Sequence, residues 1–288
     1  MDIRPFLYNS PLTSLALMLI STISFSLMNA GIRDVTQELE PMVVVFFRNS
    51  FGLLVLSPFF IKNGLKIFCT RQLRLHWLRA GLNILAMAFF YVGLSLTPLA
   101  EATALAFTAP LFSVLLAVIF LKEQAGVARA LAISVGFAGA LLIIRPGLGV
   151  INPGSVWVVI SAFIWGGTII TIKLLARKDN SMTITAYMAL LIAIMSLPIA
   201  IMFWQTPTTT QYLYLLFIAV TGTLGQVTLA EALSRAEAHI VMPLDFMRLI
   251  WTTILGYLIF NEAPNIFFLV GAAMIFGSVV YLTRQSKK

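Results

Sequence analysis

The stretch Ala238–Glu262, AHIVMPLDFMRLIWTTILGYLIFNE, is apolar over a length that can cross a bilayer, yet its middle carries Pro243, Asp245 and Arg248. An Asp or Arg deep in a lipid-crossing helix costs about 2.5 to 3.5 kcal/mol on insertion scales, so such residues face a partner or a wet cavity. At i and i+3, Asp245 and Arg248 share one helix face and partly neutralise each other. Two readings follow: a structural ion pair between helices, or a charged pair lining a polar cavity. A second stretch, Leu99–Glu123 (LAEATALAFTAPLFSVLLAVIFLKE), aligns with the first without a gap at an offset of 139 positions.

Composition points to the same solvent. Of the 288 residues 60% are hydrophobic and 10% charged, and mean hydropathy is +0.96. Soluble domains run at about 45–50% apolar and 25% charged, so this chain belongs in lipid. Its net charge of +8 is no nucleic-acid surface, because the basic residues sit between apolar runs rather than on one soluble face. The lone Cys69 excludes an internal disulfide. Two distant histidines, His76 and His239, with no HExxH, GxSxG or P-loop pattern, argue against an enzyme and imply no cofactor or metal.

Runs of about 17 to 25 apolar residues cross hydrocarbon as helices. They occur near residues 12–31, 42–62, 77–97, 101–121, 127–144, 153–174, 183–204, 212–234, 239–260 and 264–283. The predicted fold is an all-α integral membrane protein of ten transmembrane helices. The first run holds Ser21, Thr22, Ser24, Ser26 and Asn29 and has no small-residue cleavage pattern, so it is expected to span rather than to be removed. Cytoplasmic loops collect Lys and Arg. With the N-terminus inside, 15 of the 19 basic residues, Arg79 among them, fall at inner ends or loops, and only Arg33 and Arg145 fall at outer ones. An even number of crossings then puts both termini in the cytoplasm.

The halves repeat. Ser21–Leu27 sets beside Ser161–Gly167 and Pro58 beside Pro198 at an offset of 140, and Lys122-Glu123 sets beside Asn261-Glu262 at 139. Repeats spanning 1–146 and 147–288, each with five crossings, would enter the membrane from opposite sides. Inverted five-helix repeats are the architecture of secondary-active carriers, with a midplane site and alternating access. One acid and up to two arginines suit a small polar or zwitterionic metabolite. A channel or a membrane scaffold is the competing class. The chain has no ATP-binding segment, so a carrier would run on a gradient, on exchange or downhill.

Two sets of five helices, FFRNSFG at 46–52, LAVIFLKE at 116–123 and LGYLIFNE at 255–262 resemble the EamA-type members of the drug/metabolite transporter superfamily. AFFYVGLSLTPLAEATALAFTAPLF (88–112) and the MP opening MPLDFMRLIW (242–251) are similar to a branch that includes bacterial S-adenosylmethionine and riboflavin carriers. The resemblance covers essentially the whole chain. It implies a bacterial inner-membrane carrier, monomer or homodimer, for a metabolite of the S-adenosylmethionine type, or else an exporter of amino acids and related metabolites. One departure stands out: that branch carries an acid three residues after its arginine, whereas here Asp245 precedes Arg248.

The expected substrate-binding residues are Arg48, Tyr91, Trp165, Gln226, Asp245 and Arg248. Arg48 lies about 9 Å from the outer end of its helix, where a snorkelling anchor competes with a site role. Tyr91 and Trp165 sit mid-helix, to pack the core or to stack on a flat ligand. Asn29, Asn83 and Gln226 either bond across helices or line the path. Ser24, Ser26, Gly166 and Gly167 are expected to face the cavity, and Glu101 and His239 to cap or be solvated at helix starts. Gly136, Gly139, Gly222, Gly225 and Gly277 are read as sites of close helix packing, with a local break open at Thr221–Gly225.

Overall fold

The computed structural model describes residues 11–63, 70–121, 127–145, 152–175, 178–179, 181–235 and 241–285. Cys69, Lys122, Glu123, His239 and the expected repeat boundary at 146/147 lie outside the described residues. The described chain is all helical. Its elements are α1 (Pro11–Val35), α2 (Pro41–Asn63), α3 (Leu73–Leu96), α4 (Leu99–Ala106), α5 (Ala109–Leu121), α6 (Val127–Ile144), α7 (Pro153–Leu175), α8 (Ser181–Met202), α9 (Thr209–Arg235), a 3-10 segment (Met242–Phe246), α10 (Met247–Phe260) and α11 (Ile266–Gln285). Among the described residues, seven helical stretches are long and apolar enough to cross a membrane.

The fourth and ninth spans are not the continuous helices expected. Pro110 has no N–H to give and its ring crowds the carbonyl of Ala106, so the fourth span breaks between α4 and α5. The chain tightens there, with the Phe107 N–H shared between the carbonyls of Thr103 and Ala104 at 3.3 and 3.2 Å. In the ninth span a proline at the start of the 3-10 segment delays the α-helix until Met247. Phe107 and Phe246, at the repeat offset of 139, mark the two breaks. Their rings stack at 4.3 Å and 19°.

Packing follows the same exchange of halves. The α1–α9 pair mirrors α7–α3, α5–α7 mirrors α10–α1, and α2–α9 mirrors α8–α3, while α6 packs on its own counterpart α11. At the last of these crossings a Cβ on Gly139 would lie 2.7 Å from the Gly271 carbonyl, and one on Gly271 would lie 2.5 Å from the Gly139 carbonyl. Gly136, Gly222 and Gly225 are also packed, but Gly277 meets nothing within 4 Å, against its expected packing role. The Thr221–Gly225 stretch is helical throughout, so no break opens there.

At the end of α10, Asn261 adopts a left-handed φ of 54°, a conformation that Asn tolerates better than most residues. The turn directs Glu262 back onto α1 and α4, where it pairs with Arg33 and accepts the Leu99 N–H at 2.9 Å.

Because backbone meets backbone at the α6–α11 crossing, Gly139→Ala or Gly271→Ala should force the helices apart at a cost of about 1–3 kcal/mol. Thermal unfolding of detergent-purified protein should show a lowered midpoint for both, and an unchanged one for Gly277→Ala.

Candidate functional site

The two breaks and the helices around them enclose a cavity of about 390 Å³. All six expected residues, Arg48, Tyr91, Trp165, Gln226, Asp245 and Arg248, line it, together with Asn29, Asn83 and Arg79. Asp245 lies in the 3-10 segment and Arg248 in the first turn of α10, so the i, i+3 spacing across the break brings Oδ1 and Nη2 to 2.5 Å. The Arg248 guanidinium also lies 4.6 Å from the Phe25 ring centroid and 5.5 Å from that of Phe107. Its Nε is buried with no hydrogen-bond partner. Ser26 Oγ donates to the Arg248 carbonyl at 3.2 Å and Trp251 Nε1 to Thr22 Oγ1 at 3.2 Å, fastening the break to α1.

The opposite wall is aromatic. Trp165 donates from Nε1 to Asn83 Oδ1 at 3.1 Å and tilts against Phe90 with centroids 5.2 Å apart. Tyr91 is buried beside them. Arg48 bonds its neighbour Asn49 at 3.0 Å and passes across Gly222, where a Cβ would come within 3.3 Å of its guanidinium. Gly222 thus leaves room for Met28, whose sulfur such a Cβ would meet at 2.6 Å, and for Arg48. Asn29 Oδ1 is buried without a partner.

Two expectations are corrected. Arg79 is not an inner-loop cation: it is 7% exposed and faces the cavity, donating to the Ile184 carbonyl at 2.9 Å and to Met188 sulfur at 3.2 Å. Arg79, Asn83 and Phe90 form one helical stripe, at spacings of four and seven residues. Ser24, Ser26, Gly166 and Gly167 do not line the cavity. Gly166 packs on α5 at Phe112, and Gly167 lies on the face of α7 opposite Trp165, Ile169 and Ile172. Glu101 accepts from Asn265 at 3.1 Å and borders a separate, smaller cavity with Glu262.

Bonds at the two ends of the cavity differ. At the Glu262 end they join the α1/α10 side to α3 and α4: Gln37 Nε2, just after α1, to the Ser95 carbonyl of α3 at 3.1 Å, and the Leu99 N–H at the start of α4 to Glu262. At the opposite end Asp179 accepts from Thr70 at 2.7 Å and lies 2.8 Å from His76 Nε2, while Gln72 reaches the Leu175 carbonyl. These bonds, like that from Arg79 to Ile184, stay on the α3/α7/α8 side. Burial pushes the Asp179 carboxyl up, but hydrogen bonds from Thr70, His76 and Gln72 and the attraction of His76 hold it below its ordinary value.

The cavity is lined by residues from both halves of the chain. The chain matches the EamA-like transporter family twice, over residues 12–145 and 152–284, and it belongs to that family. It is a multi-pass membrane transporter and not an enzyme. It is 30% identical over 277 residues to an S-adenosylmethionine uptake transporter of Rickettsia conorii, covering 96% of this chain and 94% of that one. A riboflavin transporter of Vibrio cholerae is 29% identical, with 96% and 95% covered, and a pseudopaline exporter of Pseudomonas aeruginosa is 26% identical, with 94% and 96% covered. A solved crystal structure superposes with a TM-score of 0.65 at 18% identity over 96% of this chain and 99% of that one, a likeness in fold.

A depressed carboxylate stabilises the folded state above its unfolded pKa, and the contribution is lost as pH falls through the folded value. Asp179→Asn should therefore lower the unfolding midpoint at neutral pH. The gap to the wild type should close as pH drops below the ordinary carboxylate value of 3.8. Parallel thermal scans across pH measure it.

Proposed function

We propose that the chain is a secondary-active carrier of a small polar metabolite, working by alternating access between halves 1–146 and 147–288. The observation that carries this reading is one charged, ring-lined cavity bordered by both halves and bridged by cross-group bonds at its Glu262 end. Irregular backbone at membrane depth is tolerated where it lines a cavity, and both breaks do so through Phe107 and Asp245. The basic residues of the loops support a reading in which the Asp179 end and both termini lie in the cytoplasm, and the bacterial relatives support an inner membrane. In this arrangement the external side is closed by Glu262, and the site faces inward. S-adenosylmethionine and riboflavin, which relatives carry, both hold a flat heterocycle, and the ring-lined wall suits such a group.

The deciding experiment is counterflow of labelled metabolites in liposomes: saturable exchange supports the carrier, and conduction without saturation favours a channel. Access can be tested separately in a Cys69→Ser background. A thiol at Ala106, which lines the cavity, should react with an impermeant reagent in inside-out vesicles and react slowly in intact cells. Adding Glu262→Gln should speed labelling from outside. Equal rates from both sides would contradict an outwardly closed state.

The charged pair gives a further test. Asp245→Asn and Arg248→Gln, singly or together, should leave near-normal amounts of folded protein but cut substrate affinity by roughly tenfold to a hundredfold, the worth of one charge-assisted contact of about 1.5–3 kcal/mol. A purely structural pair would instead recover in the double change, because neutrality returns. Arg248→Lys should rescue in part, since the planar fork over Phe25 and Phe107 is lost.

A further inference from the structure

Charge in the cavity does not balance. Among the described residues, three guanidinium groups, Arg48, Arg79 and Arg248, border it, and Asp245 is the one carboxylate in its lining. That carboxylate is already taken by Arg248. Among the described residues no carboxylate pairs with Arg48 or Arg79. The acceptors they do use, Asn49, the Ile184 carbonyl and the Met188 sulfur, are neutral and leave both charges standing. A charge held out of water without a counter-charge is unfavourable, and low-dielectric walls focus its field on whatever enters.

Resting on the carrier reading, we propose that the site selects an organic anion bearing a flat conjugated ring, and disfavours cations such as a sulfonium. The excess of two positive charges supplies the preference in charge. Phe25, Phe90, Tyr91, Phe107 and Trp165 supply faces for the ring. Two buried polar atoms stand ready for a ligand: Arg248 Nε as donor and, on a residue 5% exposed, Asn29 Oδ1 as acceptor. The cations are also spread in depth. Arg79 lies twelve residues before Tyr91 on α3, about 18 Å at the helical rise, and one turn before Asn83, which holds Trp165, so an anion arriving from the Asp179 end meets Arg79 before it reaches Phe90 and Tyr91. A carboxylate and a phosphate share the chemistry that a guanidinium fork recognises.

The test is equilibrium binding to the purified full chain in nanodiscs, with probes that vary charge on comparable rings. Riboflavin is neutral, flavin mononucleotide adds a phosphate to the same ring system, kynurenate is a flat carboxylate, and S-adenosylmethionine carries a sulfonium. At least one anion should bind tenfold or more tighter than riboflavin and S-adenosylmethionine, and that preference should shrink with added salt. Flavin mononucleotide and kynurenate show which anionic group is taken. Arg48→Gln and Arg79→Gln should each cost the anion about tenfold and leave riboflavin nearly unchanged, whereas Arg79→Lys should keep the preference. The proposal is overturned if S-adenosylmethionine or riboflavin binds as tightly as the anions, if no anion binds at about 1 mM, or if the preference survives both glutamine variants. Counterflow with the same panel separates the two readings. Exchange of a cation or neutral probe without anion binding leaves the carrier standing and removes this proposal; anion binding without exchange of any probe does the reverse.

Discussion

In hydrocarbon a broken helix exposes N–H and C=O groups that no water can satisfy, so breaks survive only against protein or a wet cavity. Everything central to this molecule depends on that constraint. Its two breaks fall at the same repeat position and meet at the stacked rings of Phe107 and Phe246. Around them the chain places its polar groups: Asp245 and Arg248 on the broken ninth span, Asn29 on α1, Asn83 and Arg79 on α3. The irregular backbone, the charges and the cavity are one feature, because each is tolerable only where the others are.

Symmetry then decides how that feature is held. The α1–α9 and α3–α7 pairs stand on either side of the cavity and are each other's counterparts under exchange of the halves. What breaks the symmetry is the closure at one end. Asn261 turns Glu262 onto Arg33 and the Leu99 N–H, while at the far end Asp179, Thr70 and His76 tie α3 to the α7–α8 connection without reaching the other group. Among the described residues, the polar ties named at one end join the groups and those at the other stiffen one of them.

The relatives carry substrates of different chemistry, from S-adenosylmethionine to riboflavin to pseudopaline, at similar identity and coverage. Likeness along the chain therefore reports the scaffold and not the cargo.

Composition and run length by themselves determined an all-helical membrane protein, because the bilayer imposes its demand locally on every segment of about 20 residues. Asp245, Arg248 and Arg48 were legible as cavity residues for the same reason: a charge inside an apolar run requires company wherever the run packs. Tertiary structure alone decided which helices meet. Arg33 and Glu262 lie far apart in the chain and become partners only when α1 packs on α10. Arg79 looked like one more inner-end cation until the packing of α3 on α7 and α8 turned it into the cavity. Gly167 looked like lining until the rotation of α7 was set by Gly166 against α5. Hydropathy is a property of a segment and its solvent, but the rotation of a helix about its axis is settled by its neighbours, and that rotation decides which side chains a ligand can touch.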